Sequence, residues 1–241
     1  MSPQAAAVIS DVHGNSLALR AVLEDIDGRG LETVYCLGDL VGYGPDPNGV
    51  IDLIRSRDIP TIQGNYDDGV GWERGDCGCF YATPEARRVG DASYAFTVGE
   101  VTDDRKVFLR GLPRERHIAL DGVSVHLVHG SPRKINEYLR RDRDERTFLR
   151  LAAAEVEDVL VFGHTHDSWW RTVGNVLFVN VGSVGRPKDG DPRAMYTVLR
   201  SAHPTVGIES VRVSYDFEAT AANIVGVGLP RELAEAVRRG A

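Results

Sequence analysis

The chain has 241 residues, 42% of them apolar and 26% charged, and carries a net charge of −7. That length buries a full core as one α/β domain or two small ones, and the acidic balance argues against a general grip on duplex nucleic acid, which needs a basic stripe. No apolar run is long enough to span a bilayer and no signal-peptide pattern opens the chain, so a cytoplasmic protein without a membrane partner is expected.

The first half alternates strand and helix. Ala5 to Ile9 reads as a buried strand and Leu17 to Ile26 as an amphipathic helix. Thr33 to Leu37 is a second strand. Asp46 to Arg57, with Pro47 near its start, is a second helix, and Ile59 to Gln63 is a short third strand. This βαβαβ rhythm predicts a largely parallel sheet. Residues 68 to 80 are Gly-rich, acidic and irregular. Two helices follow between Pro84 and Arg110, broken near Gly99 and Thr102. One domain spanning 1–241, with an insertion at about 68–112, is the expected organisation.

Asp121-Gly122 between two apolar runs, Arg116 to Leu120 and Val123 to Val128, predicts a hairpin. Ser131 to Arg146 is polar and Arg-rich, either a solvated connection or a loop facing substrate. Thr147 to Val156 is helical. Val159 to Phe162, Val176 to Val181, Met195 to Leu199 and Val206 to Val213 read as strands. Pro230 to Arg239 closes the chain as a helix with Leu229, Leu233 and Val237 on one face, a face that covers the core or pairs with a second copy in a homo-oligomer. Cys36 lies inside an apolar strand and behaves as a small hydrophobe. Cys77-Gly78-Cys79 has neither a disulfide-framework nor a zinc-ribbon spacing and is expected to be a loop covering a pocket.

The predicted strands end in metal-competent side chains beside glycine: Asp11 and His13, Asp39, Asn65, His129, and His164 with His166. Positions i and i+2 of an extended segment point the same way, so Asp11 and His13 can reach one point. Ligands gather at the carboxyl ends of strands in α/β sheets. Each residue alone is an ordinary turn or hydrogen-bonded side chain. Five such endings in one chain argue for a shared site. Two Asp, one Asn and four His exceed the needs of one ion and suit two divalent ions bridged by a carboxylate, the arrangement that drives in-line displacement at phosphorus. Mixed N/O ligation favours Mn, with Fe, Zn or Ni as alternatives. His126 lies within its strand, on the face opposite His129, and reads as structural.

Asp11-x-His13, Gly38-Asp39-x-x-Gly42, Gly64-Asn65-x-Asp67, His129-Gly130 and Gly163-His164-x-His166 resemble the ordered motifs of the calcineurin-like metallophosphoesterase superfamily, in particular its small prokaryotic phosphodiesterases. The resemblance implies a four-layer αββα sandwich of two mixed β-sheets flanked by helices. It implies one metal held by Asp11, His13, Asp39 and His166, and a second by Asp39, Asn65, His129 and His164. A metal-bridging hydroxide would attack phosphorus. Asp67 is the expected carboxylate orienting the histidines.

Many members of that superfamily have His after the motif asparagine, where it contacts phosphate and protonates the leaving group. Tyr66 stands there in this chain. A free phenol has a pKa of about 10 against about 6.5 for imidazole, so Tyr66 is the weaker acid. Diesters with acidic leaving groups and phosphoanhydrides need the least proton help. A phosphodiesterase or nucleotide-polyphosphate hydrolase, dinucleoside polyphosphates included, is therefore the expected activity, with a phosphorylated small molecule, a nucleotide, as partner. The alternatives are a phosphomonoesterase and a non-catalytic scaffold that has lost its metals. All seven ligands stand, which argues against the scaffold. Tyr43, Arg133, Lys134 and Arg186 are candidate substrate contacts. Arg186 follows an Asn180-x-Gly182-Ser183 run similar to a family segment near the site, and arginine suits bidentate phosphate binding.

Overall fold

The computed structural model describes residues 4–241. The elements run β1 (Ala5–Ile9), α1 (Ser16–Gly28), β2 (Val34–Cys36), α2 (Pro47–Ser56), α3 (Asn65–Gly71), α4 (Pro84–Glu100), α5 (Asp103–Gly111), β3 (Glu115–Leu120) and β4 (Val123–Val128). They continue as α6 (Glu145–Ala154), β5 (Val159–Phe162), β6 (Trp169–Val173), β7 (Val176–Asn180), β8 (Ala194–Ala202), β9 (Thr205–Val213), α7 (Phe217–Gly226) and α8 (Arg231–Arg239).

Two mixed sheets form, in the orders β2-β1-β8-β9 and β3-β4-β5-β7-β6. The expectation of a largely parallel sheet is corrected. Parallel pairing joins β1 to β2 and links β4, β5 and β7, while β8 and β9 return antiparallel beside β1. The predicted third strand shrinks to a single bridge between Thr61 and Cys36. Pro60 has no N–H to donate to a ladder, and the Gln63 N–H turns away to the Pro113 carbonyl.

The sheets face each other across Ala6, Val8, Leu37, Leu127, Val161, Val179 and Leu199. Helix α1 lays Leu19, Val22 and Ile26 on the outer face of the first sheet. Its start is set by Asn15, whose side chain accepts from the Ala18 N–H, a standard N-cap. On the far side Phe148 and Leu151 of α6 pack with Phe162, Trp169 and Phe178. The result is the four-layer helix–sheet–sheet–helix sandwich. The Asp121-Gly122 hairpin forms, with both residues at positive φ (48° and 90°), as a tight two-residue turn requires.

Two regions read as irregular or unassigned are ordered. Asp68 to Gly71 belongs to α3, which Gly64 caps while Asp67 reaches back to the Gly64 N–H. Strand β6 pairs with β7 across Gly174-Asn175. The apolar face of α8 is used within the chain: Leu233, Ala234 and Val237 pack on α7 and on Val89 of α4. Among the described residues no helix is long and apolar enough to cross a membrane.

Candidate dinuclear metal centre

All seven predicted ligands meet at one rim of the sandwich, where strands of both sheets end. Asp11, His13, Asp39, Asn65, His129, His164 and His166 are each at most 4% exposed. The convergence of Asp11 and His13 does not come from an extended segment. Asp11, His13, Asp39, His164 and His166 all adopt positive φ, between 50° and 66°. Non-glycine residues avoid this region, and such strain clusters at functional sites. Surrounding bonds hold the loops there: the His13 N–H donates to the Asp39 carbonyl, the Asp11 N–H to the Gly38 carbonyl, and Ser183 Oγ to the Asp11 carbonyl. Close approach is also needed. A Cβ on Gly64 would lie 2.1 Å from Asp39 Oδ1, and one on Gly185 would lie 1.8 Å from the Val12 carbonyl oxygen.

Side-chain partners decide which nitrogen each imidazole presents. Nδ1 of His13 lies 3.0 Å from the Val41 carbonyl, Nδ1 of His129 2.8 Å from that of Leu37, and Nδ1 of His166 2.6 Å from that of Arg186. A carbonyl only accepts, so each Nδ1 carries the proton and each Nε2 presents a lone pair. The expectation that Asp67 orients the histidines is therefore corrected. Backbone carbonyls do that. Asp67 instead accepts the N–H groups of Asp39, Leu40 and Gly64, tying two ligand-bearing loops together. Burial and the Asp39 carboxylate push its own pKa up to about 7, against the pull of the Gly64 and Leu40 amides.

The lone pairs then face one another. His13 Nε2 lies 3.1 Å from His166 Nε2, an arrangement that with both Nδ1 atoms protonated sets two lone pairs face to face, as two ligands of one cation would be. His166 Nε2 is 3.3 Å from Asp11 Oδ1, and His129 Nε2 is 3.4 Å from Asp39 Oδ2. Asp11 Oδ1 and His164 Nε2 are buried without any hydrogen-bond partner. Such orphaned atoms are costly unless a ligand satisfies them. The donors form two groups, Asp11–His13–His166 and Asp39–His129–His164. Asp39 Oδ2 also stands 3.7 Å from His13 Nε2, between the groups, where a bridging carboxylate belongs. Asn65 joins the second group with Oδ1 3.0 Å from His129 Nε2. The chemistry of this donor set fits two divalent cations.

Electrostatics agree. Burial opposes charge on Asp11, but the neighbouring His166, His129 and His13 outweigh it and hold the carboxyl well below its usual range. Burial likewise loses to His129 and His13 at Asp39. Burial drives His164 and His166 down to about 3, so both are neutral ligands. His129 differs: burial alone would lower it, yet Asp39 and Asp11 raise it to about 9, so a cation bound there takes the place of a proton on Nε2.

The chain belongs to the calcineurin-like phosphoesterase superfamily. The family's domain model matches residues 5–202. A protein of Methanocaldococcus jannaschii is 34% identical over 95% of each chain. The crystal structure of a metallophosphoesterase from Sphaerobacter thermophilus superposes with a TM-score of 0.77 at 28% identity, covering 100% of each chain. A hypothetical protein from Pyrococcus horikoshii shares the fold, with a TM-score of 0.84 at 21% identity over 98% of each chain. This phosphoesterase is thus a hydrolase of phosphoester bonds with a dinuclear-type cluster of Asp and His residues.

The remaining predicted residues divide. Arg186 and Tyr43 lie at the cluster: the guanidinium sits 4.2 Å above the Tyr43 ring, which meets His13 edge-on at 4.9 Å. Arg133 is committed to an ion pair with Glu137, and Arg133 and Lys134 line a depression with Arg114 and Glu115 that the metal ligand His129 also borders. Tyr66 is 1% exposed, its ring against Gly42 and His13 and its hydroxyl without a partner. Burial and the nearby Tyr43 push its pKa well up, so the phenol is a wall of the site. Cys77-Gly78-Cys79 fixes the Asn65 amide: Asn65 Nδ2 donates to the Cys77 carbonyl (2.9 Å) and to Cys79 Sγ (3.3 Å), which aims Oδ1 at the cluster. Sequence reasoning missed Tyr138, whose ring stacks on His164 at 4.2 Å, and Lys188, whose N–H donates to the His166 carbonyl. The Pro187-Lys188 step directly after Arg186 was the available signal.

Proposed function

We propose that this phosphoesterase cleaves phosphodiesters or phosphoanhydrides of nucleotides, dinucleoside polyphosphates among them, with Mn as the favoured metal. The observation that carries the reading is Tyr66. At the position where many relatives place a histidine, this chain has a buried phenol with a raised pKa and no hydrogen-bond partner. It is a weaker acid than imidazole and gives a departing alkoxide less proton help, which disfavours simple monoesters and favours leaving groups that depart as weak bases. Three free thiols support a cytoplasmic location.

Asp11, His13, Asp39 and His166 would hold one cation, and Asp39, Asn65, His129 and His164 the other. Divalent ions in such a pair supply Lewis acidity and a strong nucleophile at neutral pH. The chain's own residues do the rest. The Nδ1–H bonds of His13, His129 and His166 fix the tautomer in which Nε2 is the ligating nitrogen. Asp67 holds the Asp39 and Gly64 loops in register. Arg186, stacked on Tyr43, and Lys188 are placed to bind non-bridging phosphate oxygens and the charge that builds on them.

Turnover of bis(p-nitrophenyl) phosphate, diadenosine tetraphosphate and p-nitrophenyl phosphate by the Mn-loaded enzyme tests the reading. A preference for the diester or tetraphosphate is expected. A clear preference for the monoester would overturn it and mean that another group protonates the leaving oxygen.

A further inference from the structure

A cleft of about 440 Å³ opens beside the metal cluster. Its walls are Phe80 and Tyr81, from the segment ahead of α4, Tyr138 from the connection between β4 and α6, and Leu233 of α8. Its inner end is Tyr43, Arg186 and Lys188. Three contacts tie the cleft to the metal ligands: Tyr138 against His164 (4.2 Å between ring centroids), Tyr43 against His13 (4.9 Å), and the Arg186 carbonyl on His166 Nδ1 (2.6 Å).

Two features of the cleft have no partner within the chain. Phe80 is 70% exposed, although a large aromatic ring gains most from burial. Arg186 and Lys188 form no ion pair with a carboxylate among the described residues, whereas Arg88, Arg133, Arg193 and Arg212 all do. Arg186 Nε is in addition buried without a hydrogen-bond acceptor. In an acidic chain, two neighbouring cations left without carboxylates are matched to an anion from outside. A guanidinium stacked on Tyr43 beside the metal ligands and an exposed ring at Phe80 describe a ligand with a phosphate and a flat ring. The volume suits one nucleoside.

We infer that this cleft is a nucleoside subsite, with the base stacked on Phe80 and flanked by Tyr81 and Tyr138, and its 5′-phosphate on Arg186 and Lys188. The inference rests on the nucleotide reading above and locates the recognition of the base. Part of the wall, α8, lies beyond residue 202, where the family match ends. Stacking platforms of this kind accept any base, since every base has a π-face.

Calorimetric titration of the Mn-loaded full chain with adenosine 5′-monophosphate and with ribose 5-phosphate tests the subsite without requiring turnover. The monophosphate is expected to bind about tenfold more tightly or better, because base stacking adds to phosphate binding. Phe80→Ala, at an exposed position, should remove most of that advantage while ribose 5-phosphate binds as before. Equal affinities in the wild type, or an advantage that survives in both Phe80→Ala and Tyr81→Leu, would overturn the inference. The two claims fail separately. Loss of diester and anhydride turnover with the affinity gap intact would remove the proposed reaction and keep the subsite, and turnover without the gap would do the reverse.

Discussion

Histidine and carboxylate side chains cluster twice in this molecule, with opposite outcomes. The first cluster is the metal centre. The second sits on the outer face of β3 and β4, where His117 and His126 are direct cross-strand partners with rings stacked at 4.3 Å. There His126 Nδ1 lies 2.9 Å from Glu155, His126 Nε2 3.2 Å from Glu115, and His117 Nδ1 2.6 Å from Glu157. Both nitrogens of His126 face carboxylates, Glu155 on one side and Glu115 on the other. In the metal centre Nδ1 of His13, His129 and His166 is spent on a backbone carbonyl, and Nε2 of each is turned into the cluster. The residue types are the same. What differs is the backbone: regular strand in the outer cluster, left-handed loop at five ligands in the inner one. Carbonyl partners and strained loops, more than composition, separate a metal centre from a histidine–carboxylate network on regular strands.

The largest expected contrast between the two is in activity. Asp39→Ala removes the carboxylate shared by both halves of the centre. It should lower kcat by about a thousandfold or more and reduce metal content, since two-metal catalysis loses its bridge. Glu155→Gln in the outer cluster should leave both unchanged. Parallel assays with metal analysis of each variant check this, and a matched loss in Glu155→Gln would erase the distinction.

Next in size is Asp67→Ala. Three buried backbone N–H groups lose a charged acceptor, so thermal or urea unfolding should show a loss of about 3–5 kcal/mol. A loss below 1 kcal/mol would mean that water replaces the carboxylate. Tyr66→Phe should be nearly silent, because the hydroxyl it removes has no partner. Diester turnover should stay within about threefold of the wild type, well short of the loss seen on removing a catalytic acid. A fall of a hundredfold would make the phenol a participant.

The smallest effect concerns acid stability at the outer cluster. Burial pushes the Glu155 carboxyl up, but hydrogen bonding with Glu157 and the His126 imidazole outweigh it and leave the pKa below its usual value. A depressed carboxyl stabilises the fold above the unfolded pKa of about 4.3, and that contribution is lost as pH falls through the folded value. Melting temperatures of Glu155→Gln should therefore fall less steeply than those of the wild type below about pH 4.3. Parallel curves would remove the ion pair from the account.

The ligand set was legible in the sequence because the side chains gather in short motifs that follow apolar runs and contain glycine. The layered fold came with the motif resemblance. The backbone was not legible. Nothing in Asp11-Val12-His13 announces that both flanking residues turn left-handed, and the i, i+2 argument reached the right convergence by the wrong geometry. Asp67 was found but misassigned, since its work is on amides distant in sequence. Helix α7 was missed for want of an apolar stripe, although Asp216 caps it by accepting from the Ala219 N–H. Strand β6 was missed because Trp169, Trp170 and Arg171 share neither pure alternation nor an apolar run. Lys188 and Tyr138 sit in loops, where no periodicity points to a site.

The central claim is that the inner cluster, and not the outer one, holds a pair of divalent ions. Anomalous diffraction at the Mn edge from crystals of the Mn-loaded protein tests it most directly. Two peaks about 3.5–4 Å apart, one on each side of Asp39, are expected. A single peak there, or a peak between His117 and His126, would contradict the account.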